Sequence, residues 1–213
     1  MAMFPLGSVL LPGGVLPLKV FEPRYRQLVQ DILADDLHPP EFGVTLIERG
    51  REVGGGDQRS TVGTLARIVD IQVLPGNMYG LAAVGVERFR VIAWLPDDPY
   101  PLADVDMWPD EIDDVEHHDD DLRSSEMTVR IASIHRRIRT INREVEQLGE
   151  LVPLPDQEIS DDPRLAVYHL GALAPLGPAD RQRMLTAPSL SSRLDVLESG
   201  LDDVVAMLEF RSS

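Results

Sequence analysis

The residues that could do chemistry in this sequence are few, and Lys19 is the most informative because it is the chain's single lysine. A lysine can act as the general base for a serine hydroxyl, which is the arrangement of a Ser-Lys peptidase dyad. Lys19 lies in the extended segment 16–21, and no glycine-serine elbow is near it. The chain also has no cysteine nucleophile and no HExxH or GxSxG motif. The sequence therefore predicts a protein that is not an enzyme.

Two other segments resemble ligand sites. The glycine-rich segment 53–60 lacks the Gly-Lys-Ser/Thr ending with which a phosphate-binding loop holds phosphate and magnesium, so a hairpin tip is favoured. His117 and His118 lie among aspartates that could hold a divalent ion. Neighbouring positions in a flexible run do not preorganise a metal site, and we interpret them as solvated charge. We predict no metal and no other cofactor.

The charge of the chain narrows the classes of partner. It has 20 basic and 36 acidic residues, for a net charge of −16. Nucleic acid and anionic lipid both require a basic surface, so both are disfavoured as partners. No run approaches the roughly 18 apolar residues of a membrane span. The absence of cysteine fits a reducing compartment, and we expect a cytoplasmic protein.

The first 108 residues are predicted to form short strands and one helix. Apolar and polar residues alternate over 69–73, which is typical of a strand with one buried face, and Pro75-Gly76-Asn77 predicts a turn after it. Segment 79–94 continues as one or two strands, and a helix with an apolar face begins behind Pro23. Glycines within the strand patterns favour a small closed barrel over a flat sheet.

The second half has a helical period. Residues 109–121 are rich in acids and are interpreted as a solvated linker, and 122–213 as a helical bundle. Asp162-Pro163 predicts a helix start, and Ser192 with Asp195 predicts a capping box. An apolar stripe that we expect to pack against helices of the same chain consists of Met127, Ile131, Ile134, Ile138, Ile141, Val145 and Leu148.

A set of short motifs carries a family resemblance. The chain opens with Phe4-Pro5-Leu6, and Phe21-Glu22-Pro23-Arg24-Tyr25 leads into the first helix. Further motifs follow at residues 9–13, 16–18, 42–44, 62–64, 68–69, 85–90, 172–173 and 193–194. Together they resemble the amino-terminal substrate-binding domain of Lon proteases, especially its stand-alone bacterial relatives. The resemblance covers nearly the whole chain.

The resemblance implies an α+β fold, with a PUA-like β pseudo-barrel and one helix followed by a C-terminal helical bundle. It implies a non-catalytic module that binds unfolded or specific client polypeptides, with a separately encoded protease as a candidate partner. We expect the ATPase and peptidase domains of a complete Lon protease to be missing. The alternative is a small-ligand or RNA-binding module, which would need Arg88, Arg90 and the arginine-rich segment 130–143 to form one basic patch.

We place the predicted client-binding surface beside the barrel. An unfolded polypeptide exposes apolar side chains and unpaired backbone groups, so its receptor needs an apolar patch with a polar rim. The simpler alternative is that Tyr25 and Tyr79 complete the barrel core and that Glu22 caps the helix. The candidate client-binding residues are Phe21, Arg24, Tyr25, Met78 and Tyr79.

Overall fold

The computed structural model describes residues 1–50, 56–110, 120–149 and 158–212, in which a strand-rich part precedes a helical one. Its strands are β1 (Met3–Leu6), β2 (Val15–Val20), β3 (Glu41–Arg49), β4 (Gln58–Leu74), β5 (Met78–Leu95) and β6 (Leu102–Met107). Its helices are α1 (Pro23–Ala34), α2 (Asp120–Gln147), α3 (Pro163–Leu173), α4 (Pro178–Thr186) and α5 (Leu190–Ser212). The predicted α+β fold, with helices following the strands, is confirmed.

The strands form one sheet in the order β1-β3-β4-β5-β2, and β6 pairs with the second half of β5. Strand β1 is parallel to β3, and the other pairs are antiparallel. Ala2 bridges Leu102, and the Met3 N–H donates to the Pro101 carbonyl at 2.9 Å. These contacts join β1 to β6, so the sheet closes on itself as predicted for a small barrel.

The closure leaves a seam between β1 and β2, two strands that do not pair with each other in the described residues. The Met3 N–H points away from β3 toward Pro101, and residues two apart on a strand point the same way, so the Pro5 nitrogen also faces away from β3. The Gly14 carbonyl accepts a hydrogen bond from the Gly85 N–H, so the backbone groups of even-numbered residues in β2 point toward β5. The nitrogen of the odd-numbered Pro17 therefore faces the unpaired side of β2. Proline, which has no N–H, suits such edges.

Helix α1 begins at Pro23, as predicted, and packs on the barrel beside the seam. Tyr25, Leu28 and Val29 are its buried residues. The Tyr25 ring stacks on the Phe4 ring with centroids 4.0 Å apart and planes at 14°. This stack fixes the first turn of the helix against β1.

The hairpin between β4 and β5 has the predicted turn but not the predicted buried face. Gly76 and Asn77 adopt positive φ angles of 79° and 55°, as a tight turn requires. Val69 and Val73 are 59% and 75% exposed, although the alternating pattern predicted one buried face. The pairing of β4 with β5 shifts register between Ile68 and Asp70, and this irregularity interrupts the alternation.

The stripe of α2 is buried by helices of its own chain, as predicted. Ile131, Ile134, Ile138, Ile141 and Val145 belong to one core with residues of α3, α4 and α5. Met127 is partly buried, and Leu148, which follows the last residue of the helix, is exposed.

The start of α5 differs from the prediction by three residues. The Ser189 hydroxyl accepts a hydrogen bond from the Ser192 N–H, and the Ser192 hydroxyl accepts one from the Ser189 N–H. The capping box is therefore Ser189 with Ser192, and the prediction of Ser192 with Asp195 is wrong. Asp195 instead pairs with Arg130 of α2 at 2.5 Å. The predicted start of α3 is correct, since Asp162 accepts from the Arg164 N–H.

A buried arginine joins several parts of the helical unit. The Arg193 side chain has no solvent exposure and binds both carboxylate oxygens of Asp110 at 2.8 and 3.0 Å. It also donates to the carbonyls of Met184 and Ala187 and lies over the Tyr168 ring. These contacts hold Asp110 against the connection between α4 and α5.

Contacts divide the chain into two compact units, Met1–Pro109 and Asp110–Ser213. Most of the predicted acidic linker, together with His117 and His118, lies outside the described residues. Its bounds, and the domain bounds 1–108 and 122–213, stay predictions. No helix within the described ranges is long and apolar enough to cross a membrane.

We predict that Ile138→Asp will destabilise the helical unit by several kcal/mol, because Ile138 is 1% exposed and an aspartate there would bury an unpaired charge. Chemical denaturation followed by circular dichroism measures the loss. Ser133→Asp on the exposed side of the same helix is the control and should leave stability within about 0.5 kcal/mol of the wild type. A stable Ile138→Asp monomer derived from a wild-type dimer would contradict the intramolecular packing.

Candidate functional site

Among the described residues of the strand-rich unit, three cavities differ in what occupies their polar groups. One of about 420 Å³ is lined in part by Asp31, Asp35 and Glu41. Each of these carboxylates already has a partner: the Tyr100 hydroxyl, His38 and Arg67, respectively. A second, of about 480 Å³, contains the side chain of Arg59, which is bound by Asp57 and Asp97. In these two cavities, the carboxylates and the arginine are already bound to other side chains of the protein.

The third cavity lies in the seam, and its lining is mostly apolar. Its volume is about 230 Å³, and we call it the seam cavity. Strand β1, strand β2 and the start of α1 all contribute to it, through Phe4, Leu6, Pro17, Leu18, Lys19, Val20, Phe21, Glu22 and Tyr25. A pocket smaller than the roughly 300–1,000 Å³ of drug-sized ligands suits a single large side chain.

Phe21 and Tyr25 contribute to the seam cavity in different ways. Phe21 is 53% exposed and lies between the end of β2 and the start of α1. Tyr25 is 3% exposed and belongs to the barrel core, as the simpler alternative predicted, yet its ring also lines the cavity. Burial raises the pKa of Tyr25 to about 12, against an opposite influence from the Arg24 guanidinium. Tyr25 is therefore neutral at physiological pH.

Arg24 and Glu22 form the polar rim of the cavity. The Arg24 guanidinium lies 4.5 Å from the centroid of the Tyr25 ring, on which it stacks, and its Nε donates to Glu22 at 3.2 Å. Glu22 occupies the N-cap position of α1 but makes no side-chain cap hydrogen bond. The alternative in which Glu22 caps the helix with its side chain is therefore wrong, since this carboxylate instead pairs with Arg24.

The structure places Met78 and Tyr79 beside α1 but outside the lining of the seam cavity. Both are half-buried, and the Tyr79 hydroxyl accepts a hydrogen bond from the Gln30 amide at 3.2 Å. Tyr79 pairs with Val20 in the sheet, so it is one strand away from the cavity. Of the five candidate residues, Phe21 and Tyr25 line the cavity and Arg24 borders it. Their role in binding stays a prediction.

Sequence reasoning missed the part that the strands contribute to this cavity. Phe4 and Leu6 are two residues apart on β1, and Leu18 and Val20 are two apart on β2, so each pair shares a face. This alternation of apolar residues could have predicted one apolar face on each strand. That the two surfaces meet across a seam depends on non-local pairing, which no local pattern contains.

Four of the arginines proposed for an RNA-binding patch, namely Arg88, Arg90, Arg130 and Arg137, make contacts within their own unit. Arg88 is 2% exposed, and its Nε donates to the Trp108 carbonyl. The guanidinium groups of Arg88 and Arg90 lie 4.0 and 3.4 Å from the centroid of the Trp108 ring. In the helical unit, Arg130 pairs with Glu198, and Arg137 pairs with Asp202. For Arg130 and Arg137, this agrees with the interpretation that the chain's own acids balance the arginine-rich helix; for its other arginines the interpretation stays a prediction.

Within the described ranges, no cluster of three or more histidine and acidic side chains has the arrangement of a metal site. His117, His118 and residues 53–55 of the glycine-rich segment lie outside the residues that the structure describes, whereas residues 58–60 belong to β4, which pairs with β3. The interpretations of these segments therefore stay predictions.

Comparison with known proteins gives a consistent family assignment. The model of the ATP-dependent protease La (LON) substrate-binding domain matches residues 1–202. Lon protease 2 of Myxococcus xanthus is 29% identical over an alignment of 198 positions, and the match covers 89% of this chain and 22% of that protein. The Lon protease of Anaeromyxobacter dehalogenans is 28% identical over an alignment of 200 positions, and the match covers 89% of this chain and 21% of that protein. The chain thus spans about a fifth of the length of these relatives.

Solved structures agree in fold. A Lon N-terminal domain protein from Xanthomonas campestris is 28% identical with a TM-score of 0.61, and the match covers 93% of this chain and 96% of that one. The N-terminal domain of the Mycobacterium avium complex Lon protease has a TM-score of 0.62 at 18% identity, over 95% and 97% of the two chains. The second likeness concerns the fold alone.

We predict that Tyr25 ionises near pH 12, because burial opposes the formation of its phenolate. A folded-state pKa above the ordinary value of about 10 means that this contribution to stability is complete below about pH 10 and is lost as the pH rises through 12. Absorbance titration at about 295 nm of the wild type and of Tyr25→Phe, with the fold verified by circular dichroism, measures the missing step.

In denaturant, the absorbance titrations of the wild type and Tyr25→Phe should differ by a step near pH 10, which is the ordinary pKa of a tyrosine. A step near pH 10 in the difference between the folded wild type and folded Tyr25→Phe would contradict the packing of Tyr25 against Phe4 and the seam cavity.

Proposed function

This chain belongs to the LON substrate-binding domain family, and from that membership we propose that it binds exposed apolar segments of unfolded or specific client polypeptides. The observation that carries the proposal is the seam cavity. Apolar side chains line most of it, and the half-exposed Phe21 lies beside it. In folded proteins most large apolar side chains are buried, so a cavity for one such side chain selects polypeptides that expose them.

The proposed binding mode is the insertion of one large apolar side chain. The ring of Tyr25 and the side chains of Phe4 and Leu18 would contact it, and Phe21 would cover it from the solvent side. Because Pro5 and Pro17 have no N–H to donate, these edges are poor templates for a continuous added strand. Recognition then depends on the inserted side chain more than on a ladder of backbone hydrogen bonds.

We further propose that the chain has no hydrolytic activity and acts as an adaptor that delivers clients to a separately encoded protease in the cytoplasm. Its match is confined to a substrate-binding domain. Lys19, the single lysine, is exposed on an edge strand, whereas a lysine that serves as a general base is usually buried beside the hydroxyl that it activates. The absence of cysteine suits a reducing compartment.

The alternative of RNA binding is less well supported. Arg88 is buried, and Arg130 and Arg137 are neutralised by acids. Phosphate recognition needs cations that can release counterions, and the net charge of −16 opposes it.

We predict that Phe21→Ser will weaken the binding of a permanently unfolded model protein by about tenfold. The side chain is an aromatic anchor beside the cavity, and the loss of such an anchor changes affinity by about 1–2 kcal/mol. Fluorescence anisotropy with a labelled, reduced and carboxymethylated protein measures the dissociation constant. The melting temperature should change little because Phe21 is half-exposed.

Phe210→Ser is the matched control, since Phe210 is 85% exposed on α5 and lines none of the three cavities. It should bind as the wild type does. The double variant Met78→Ser, Tyr79→Ser should lose less affinity than Phe21→Ser because these residues are one strand away from the cavity. A larger loss in the double variant would centre the surface on the hairpin, and equal affinity in all variants would refute the proposed site.

A further inference from the structure

The charges around the seam cavity are unbalanced. Its lining contains one cation, Lys19, and one anion, Glu22. Glu22 is already bound by Arg24 at 3.2 Å. The Lys19 side chain is exposed and forms no ion pair within the described residues. The net charge available to a ligand at this cavity is therefore positive.

This positive charge contrasts with its surroundings. The chain has a net charge of −16 and a single lysine. The other two cavities are lined by more acids than cations: Asp31, Asp35 and Glu41 in one, and Glu48, Asp57 and Asp97 around Arg59 in the other. An acidic client segment would be repelled by most of this protein and attracted at Lys19.

The position of Lys19 relates this charge to the apolar cavity. Lys19 also lines the cavity, and its side chain leaves β2 on the face opposite to Leu18 and Val20 because side chains alternate along a strand. In an extended client segment, the residue next to the inserted side chain likewise points to the other face. Successive residues of an extended client segment are about 3.3 Å apart. A client residue next to the inserted side chain would therefore lie within reach of the flexible Lys19 ammonium.

Resting on the proposed function, we infer that the preferred client segment carries an aspartate or glutamate beside its inserted apolar side chain, and that Lys19 binds this carboxylate. Lys19 is thus a specificity-determining residue of the seam cavity. A basic residue at the same client position would meet an unpaired like charge and would bind more weakly.

The test uses three short peptides with acetylated and amidated ends, so that terminal charges do not contribute. Each contains one tryptophan in a glycine-serine background, flanked by glutamate, glutamine or lysine. The wild type should bind them with affinity falling in that order, by about threefold per step, which is the size of an exposed ion pair. The order should weaken at about 0.5 M salt because exposed charges are screened.

Two Lys19 variants make the assignment specific. Lys19→Gln should bind the three peptides about equally, and Lys19→Glu should reverse their order. Arg49→Glu is the matched control, because it makes the same charge change at an exposed residue of the same unit that lines none of the three cavities. It should keep the wild-type order.

The outcomes separate this inference from the proposed function. If the peptides bind, Phe21→Ser weakens them, and the charge order is absent or unchanged in Lys19→Glu, the inference is wrong and the proposed function stands. If none of the peptides binds, or Phe21→Ser has no effect on them, the proposed function fails and the inference fails with it.

Discussion

The strand-rich unit depends on the fact that two of its strand edges cannot be fully paired. Pro5 in β1 and Pro17 in β2 both present a nitrogen without a proton to the unpaired side of their strands. The barrel therefore closes through the bridge between Ala2 and Leu102. Side chains and the first turn of α1 fill the remaining seam, where Tyr25 stacks on Phe4. The space that they leave is the seam cavity, so the candidate site follows directly from how the sheet closes.

Local patterns in the sequence were sufficient for the starts of α1 and α3 and for the order of strands before helices, but they misplaced the start of α5 by three residues. The starts of α1 and α3 could be predicted because they depend on neighbouring residues: Pro23 occupies the first turn of α1, and Asp162 accepts a hydrogen bond from the Arg164 N–H in α3. Features that depend on distant partners could not be predicted. Arg193 reads as one more surface arginine, yet it is buried because Asp110, distant in sequence, neutralises it. Arg88 is likewise buried because a residue distant in sequence, Trp108, accepts its hydrogen bond and covers its guanidinium group.

The candidate site shows the same limit. Phe21, Arg24 and Tyr25 form one short motif, and the sequence predicted them as a surface beside the barrel. The residues of the cavity that the sequence did not predict lie on β1 and β2. Lys19 is one of them, and sequence reasoning considered it only as a catalytic base. At the edge of an apolar cavity in an acidic protein, this lysine has an electrostatic interpretation, which sequence reasoning did not consider. The role proposed for the site is the selection of client side chains, which suits a substrate-binding family.

The proposed binding of polypeptide in the seam cavity can be located by amide chemical-shift mapping of the ¹⁵N-labelled chain during titration with an unfolded, tryptophan-containing peptide. We expect the largest shifts to cluster at β2 and the start of α1, from Leu18 to Tyr25, with smaller changes at Tyr79. Saturable shifts confined to the arginine-rich face of α2 or to the exposed end of α5, with β2 unchanged, would contradict it.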